Sequence, residues 1–242
     1  MQTSKPKIRL FVQAPLAENA IVGLPADQAH YLKHVMRRKQ GDLIALFNGE
    51  DGEWSAHIDG LGKGWASLAI QDQLCPQTPE PDIWLCFAPI KRTRIDFLVE
   101  KATELGVSRL QPVMTQFTNS TRINYHRMTA RCIEAAEQCE RLSVPAVQEA
   151  VTLRQLLDNW PDDRLLLFCD ERQGAEGLVD VAAGNRGSPV AFLIGPEGGF
   201  SDDERTMLLS LPNSHSISLG PRILRAETAA FAALGAWQAL IR

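Results

Sequence analysis

Two glycine-marked strand ends about twenty residues apart constrain this chain more than anything else in it: LIGPEGGF at residues 193–200 and LGPRILRAETAA at residues 219–230. In each, an apolar run stops at a Gly-Pro turn and leads into a helix-forming stretch, and ligands of α/β folds gather at such strand ends. Residues 190–194 (VAFLI) are short and continuously apolar, so they read as a buried strand. Gly195, Gly198 and Gly199 then permit close backbone approaches that side chains would block. Ser201 followed by Glu204 makes a capping box for the next helix. The same string also suits a plain strand-to-helix turn. Neither a P-loop nor a GxGxxG fingerprint is present, the turn has no Lys, and Asp202 and Asp203 open the helix. A ligand here is expected to be neutral or cationic rather than a polyphosphate.

In the second motif, residues 217–219 read as a short strand turned by Gly220 and Pro221, and an Ala-rich helix is expected over residues 226–241. Phe231, Leu234, Trp237, Leu240 and Ile241 recur at helical spacing, which suits core or dimer packing. Arg222, Arg225 and Glu227 place two cations and a carboxylate at a strand-turn-helix junction. That set suits stabilisation of an anionic transition state and proton handling. It equally suits a surface ion pair with a capping role.

The pair IGPEGGFSDDE and LGPRILRAETAA resembles the C-terminal motifs of the SPOUT class of S-adenosylmethionine-dependent RNA methyltransferases. More narrowly, the chain resembles the bacterial ribosomal RNA small subunit methyltransferase E family, which forms 3-methyluridine in the decoding region of 16S rRNA. The likeness extends through IRLFV (8–12), HYLKHVMRRKQGD (30–42), LVEKATELGV (98–107) and EAAEQCER (134–141). It implies an α/β C-terminal domain with a deep trefoil knot that holds a bent S-adenosylmethionine, a small N-terminal PUA-like β-barrel that grips RNA, and a homodimer. Another SPOUT methyltransferase acting on ribose 2′-oxygen or transfer RNA remains an alternative, as does a non-catalytic RNA-binding assembly factor.

Composition is compatible with this reading. A chain of 242 residues, 45% hydrophobic, can bury one large or two small cores. Lys5, Lys7 and Arg9 interrupt any apolar leader, and no run approaches membrane-span length, so a cytoplasmic protein is expected. The five cysteines are scattered with no CxxC and do not cluster with histidines, so reduced thiols and no metal site are expected. The net charge of −4 is unevenly spread. Residues 1–41 hold seven cations against Glu18 and Asp27, a net of +5, whereas residues 42–82 hold Lys63 against eight carboxylates, a net of −7. A basic segment of this kind suits phosphate tracking or an ordinary solvated helix face.

Two domains are expected. Asp27 can cap a short helix carrying Tyr31, Leu32, Val35 and Met36, and strands at 43–48, 53–58 and 65–70 with Gly-rich turns suggest a small antiparallel barrel over residues 1–73. A Pro-rich linker follows at 74–82. Residues 83–242 alternate strands with helices, as a mostly parallel sheet requires.

For site residues, the cofactor is expected against the backbone around Leu193, Gly195, Gly199, Leu219, Gly220 and Leu224, with Phe168 nearby and Glu197 either beside it or at a dimer contact. Methylation at N3 of uracil needs removal of a weakly acidic proton and stabilisation of charge on the flanking carbonyl oxygens. Arg225 is assigned those oxygens, Arg222 an assisting or phosphate-holding role, and Glu227 the proton. The RNA candidates are Arg9, His30, Lys33, Arg37 and Arg38. Lys91, Arg92 and Arg94 either extend that track or form a solvated loop.

Overall fold

The computed structural model describes residues 6–119, 122–170, 175–185 and 187–241, without the side chains of Arg92 and Ile241. The chain divides into two compact units, one up to Pro79 together with Ala136–Val144, the other Glu80–Ala135 with Pro145 onward.

In the first unit, strands β1 (Arg9–Phe11), β2 (Ile21–Leu24), β3 (Leu43–Phe47), β4 (Glu53–Leu61) and β5 (Ala66–Cys75) form one sheet in the order β1-β3-β4-β5-β2. Its core is Leu10, Ile44, Leu46, Ile58 and Leu68, supplied by alternate positions of the strands. Three expectations need correction. The sheet is mixed, because β1 runs parallel to β3, with β2 and a helix intervening between them in the chain. The last strand extends to Cys75, into the expected linker, and Gly52 is what admits it: a Cβ there would lie 2.2 Å from the Cys75 carbonyl oxygen. Helix α1 (Ala26–His30) begins after Pro25 rather than at Asp27 and continues as a π-helical turn, Tyr31–Val35. Leu32 is buried, whereas Val35 is exposed.

Arg9 is a core residue of this unit. Its guanidinium pairs with the buried carboxylate of Glu53 and lies over the Phe47 ring, 4.3 Å from its centroid. It also donates to the carbonyls of Ala136 (2.7 Å), Glu137 (3.2 Å) and Arg141 (2.9 Å). Ala136 and Glu137 close helix α3 (Tyr125–Gln138), where carbonyls lack intrahelical partners and favour a cation.

The second unit is an eight-stranded sheet of β6 (Ile83–Phe87), β7 (Arg109–Met114), β8 (Ala146–Val147), β9 (Val151–Thr152), β10 (Leu165–Cys169), β11 (Glu176–Gly177), β12 (Val190–Ile194) and β13 (Ser214–Ser218). The order is β11-β13-β10-β12-β6-β7-β8, with β9 beside β7, and every pair is parallel. Along β12 the side chains alternate between two helical layers. Ala191 and Leu193 pack with Leu153 and Leu156 of α4 (Leu153–Asp158) and Leu208 of α6 (Asp202–Leu209). Phe192 meets Trp237 of α7 (Ala226–Ile241) edge to face at 5.8 Å. Helices α2 (Arg92–Glu104) and α5 (Leu178–Gly184) pack beside α7, and the Leu234 and Trp237 side chains are buried within their own chain. Leu234 and Trp237 of the apolar stripe are therefore core, whereas Phe231 and Leu240 are half-buried, and Phe231 meets Phe97 edge to face at 5.3 Å.

Replacing Arg9 by Met takes the guanidinium from the buried Glu53 carboxylate and removes a donor from three carbonyls. A loss of about 3–5 kcal/mol in urea unfolding is expected.

Candidate active site

Hydrogen-bonded register aligns three strand ends. Cys169, the last residue of β10, is the Cα partner of Ile194 on one side and of Ile217 on the other. Both glycine-marked loops therefore leave the same sheet edge, flanking Asp170. Between them lies a cavity of about 220 Å³, walled by Ile194, Gly195, Gly199, Ile217, Leu219, Gly220, Leu224 and Ala229, with Asp170, Glu197 and Arg222 contributing charge. Gly199 (φ +69°) and Gly220 (φ +105°) occupy the left-handed region that side chains disfavour. Gly195 makes room for Phe200, whose ring would lie 3.1 Å from a Cβ.

The loop after β12 is anchored by the helix that follows it. Ser201 and Glu204 form the expected capping box, and Glu204 also accepts the Gln116 N–H at 2.7 Å. From α6, Arg205 Nε donates to Asp170 Oδ2 at 2.6 Å, which fixes that carboxylate at the cavity wall. Burial pushes the Cys169 thiol up to about 12.

Among the expected cofactor residues, Gly195, Glu197, Gly199, Leu219, Gly220 and Leu224 line the cavity. Phe168 and Leu193 do not. They are Cα partners in adjacent strands, fully buried in the layer shared with α4 and α6, and Phe168 meets Phe200 edge to face at 6.0 Å. Strand alternation explains the correction, since the next residues along, Cys169 and Ile194, reach the cavity instead. Sequence reasoning also missed Asp170, Ser218 and Ile223 in the lining. The position of Asp170, immediately after a buried strand, was the available signal.

Arg222 lines the cavity and is exposed, whereas Arg225 is exposed and stands outside its lining. Glu227 is turned toward Arg94: its Oε1 lies 3.7 Å from Arg94 Nε, and its Oε2 is buried without a hydrogen-bond partner. Arg94 also donates to Glu197 Oε1 at 3.2 Å.

For the RNA candidates, His30, Lys33 and Arg37 are exposed around the π-helical turn, where His34 stacks on His30 with ring centroids 4.6 Å apart. Arg38 is half-buried, 3.8 Å from Asp42. Lys91 is exposed, and the Arg92 side chain lies outside the described residues. Arg9 is removed from the set because its guanidinium is buried and its donors are taken by protein groups.

The thiol at Cys169 supplies a direct chemical test of this wall. At pH 8 a group titrating near 12 is about 0.01% thiolate, against roughly a quarter for an ordinary thiol. Iodoacetamide is therefore expected to alkylate the exposed Cys139 well before Cys169, as read by peptide mass mapping.

Comparison with known proteins gives this geometry its family. The RNA methyltransferase domain profile matches residues 77–238, and the RNA methyltransferase PUA domain profile matches residues 24–70. The ribosomal RNA small subunit methyltransferase E of Rickettsia conorii is 36% identical over 228 residues, covering 93% of each chain. The enzyme of that name from Synechocystis is 31% identical, covering 96% of this chain and 78% of the relative. Among solved structures, a methyltransferase of Legionella pneumophila in complex with S-adenosylmethionine superposes with a TM-score of 0.87 at 30% identity, covering 96% of this chain and 97% of that one. The ribosomal RNA small subunit methyltransferase E of Neisseria gonorrhoeae, bound to S-adenosyl methionine, gives 0.85 at 30% identity with the same coverage. The parallel-sheet unit thus carries the RNA methyltransferase domain, the mixed-sheet unit is PUA-like, and the chain belongs to the ribosomal RNA small subunit methyltransferase E family.

Proposed function

We propose that this protein transfers the methyl group of S-adenosylmethionine to N3 of a specific uridine in the decoding region of 16S rRNA, acting in the cytoplasm on the assembled small ribosomal subunit. The observation that carries the reading is the cavity enclosed by the two glycine-marked loops, together with the cofactor-bound relatives of the same fold.

The lining fits that cofactor chemically. Ile194, Ile217, Leu219 and Leu224 offer apolar surface to an adenine, and the loop backbones approach closely at Gly195, Gly199 and Gly220. Asp170 and Glu197 place negative charge at the wall, as a ligand with an ammonium and a sulfonium requires. When bound, S-adenosylmethionine supplies an electrophilic methyl group on a sulfonium.

The remaining chemistry falls to the chain. A uridine must be extruded from its stack before N3 can be reached, and the exposed His30, Lys33 and Arg37 of the PUA-like unit bind RNA phosphates. Arg225 stands exposed at the start of α7, free to meet the uracil carbonyl oxygens as N3 loses its proton. Arg222, at the cavity rim, assists it or holds phosphate. Glu227 accepts the proton on Oε2, the oxygen left without a partner. A second copy of the chain covers the cavity rim, where Ile223 is 83% exposed.

The direct assay incubates the protein and radiolabelled S-adenosylmethionine with undermethylated small subunits, then identifies the labelled nucleoside. Label in 3-methyluridine is expected. Label in a 2′-O-methylnucleoside overturns the target, and absence of label despite cofactor binding favours a non-catalytic RNA-binding factor. Glu227→Gln is expected to lower turnover at least about 100-fold while the cofactor Kd stays within a few-fold, the size of a lost acid–base group. Gly220→Ala strains a left-handed position by about 1–2 kcal/mol, and a loss of stability of that size in urea unfolding is expected.

A further inference from the structure

Arg94 occupies the first turn of α2, outside both glycine-marked motifs, yet its guanidinium joins them. Its Nη1 donates to Glu197, in the loop after β12, at 3.2 Å, and its Nε lies 3.7 Å from Glu227, in the first turn of α7. The three groups differ in exposure. The Glu197 side chain is 56% exposed and that of Arg94 30%, but that of Glu227 only 12%. A carboxylate so enclosed is costly without a neighbouring cation, and Arg94 faces it.

The pairing is lopsided, unlike that in which Arg127 Nε meets both oxygens of Asp96, at 2.7 Å and 3.0 Å. Arg94 approaches one oxygen of Glu227 and leaves Oε2 buried without a hydrogen-bond partner. An unfilled acceptor in such a place loses free energy unless a donor arrives at some stage of function.

We propose that Arg94 is a positioning residue for methyl transfer, holding Glu227 through Oε1 so that Oε2 is presented to the substrate's N–H, while its bond to Glu197 anchors the guanidinium. This rests on Glu227 being the proton acceptor. In the step it serves, the N3–H bond breaks and an O–H bond forms on Glu227. The N3–CH3 bond forms as the sulfonium's C–S bond breaks, and the donor leaves as a neutral thioether. Carboxylate and sulfonium lose their opposite charges together, so Arg94 ends beside a neutral acid while keeping its bond to Glu197.

The test is a double-mutant cycle in single-turnover methylation of undermethylated small subunits, comparing wild type, Arg94→Met, Glu227→Gln and the double variant, with cofactor Kd by calorimetry and folding by thermal melting. Arg94→Met is expected to slow the step about 100-fold with a cofactor Kd within threefold of wild type. The double variant is expected to be no slower than Glu227→Gln alone, because Arg94 acts through Glu227. Arg94→Lys, which keeps the charge, is expected to restore the rate to within about tenfold of wild type, and it carries the test if Arg94→Met fails to fold. A rate for Arg94→Met within threefold of wild type, penalties that multiply in the double variant, or a loss that follows cofactor affinity would each overturn the proposal. Near-normal turnover by Glu227→Gln would overturn it together with the role assigned to Glu227. Label in a nucleoside other than 3-methyluridine would instead remove only the target, and the same cycle on that product would still decide the role of Arg94.

Discussion

The parallel register of β12, β10 and β13 is the constraint on which the rest depends. Ile194, Cys169 and Ile217 are Cα partners across the three strands, so their hydrogen-bond ladders stop at one line. Beyond that line the backbone must turn, and the turns are where Gly195, Gly199 and Gly220 stand. A one-residue slip of β12 would exchange its two faces, moving Phe192 away from Trp237 and Leu193 out of the layer shared with α4 and α6. The packing of both helical layers thus fixes the register, and the register fixes the cavity.

Electrostatics then divides the labour between the units. The cavity wall carries Asp170 and Glu197, opposed by Arg222, and the α6 helix begins with three acidic residues. That composition disfavours a polyphosphate and accepts a cationic ligand. The exposed cations of the other unit gather on residues 30–39, around the π-helical turn, where a phosphate backbone can be met. Arg9 shows how far position decides the use of a charge. It belongs to the same basic segment by sequence, but its guanidinium is spent on Glu53 and on the carbonyls that end α3. An invariant cationic count along the chain therefore says little about which cations reach a ligand.

Much of the architecture was legible because its signals are local. The strand Val190–Ile194, the strand Leu165–Cys169, the capping box at Ser201 and the helix Ala226–Ile241 follow from apolar runs, turn residues and caps within a few positions. The insertion of β10 between β12 and β13 was not legible, since pairing between distant strands leaves no periodicity in the chain. Short strands such as Val151–Thr152 and Glu176–Gly177 carry too few residues to show alternation. At the site, the glycine-marked turns mark the loops, but the expectation for Phe168 and Leu193 falls one residue behind the cavity lining, which Cys169 and Ile194 reach instead. The convergence of Arg94 with Glu197 and Glu227 joins residues more than a hundred positions apart, and the sequence offered Arg94 only as part of a basic loop.

The central claim is that register, by aligning three strand ends, builds the cofactor site. The most direct measurement is a crystal structure of the protein with S-adenosylmethionine. Density enclosed by the two glycine-marked loops, with the adenine against Ile217, Leu219 and Leu224 and the cationic end near Asp170 or Glu197, is the result this account predicts. Cofactor bound elsewhere, with that cavity filled by protein side chains, would contradict it.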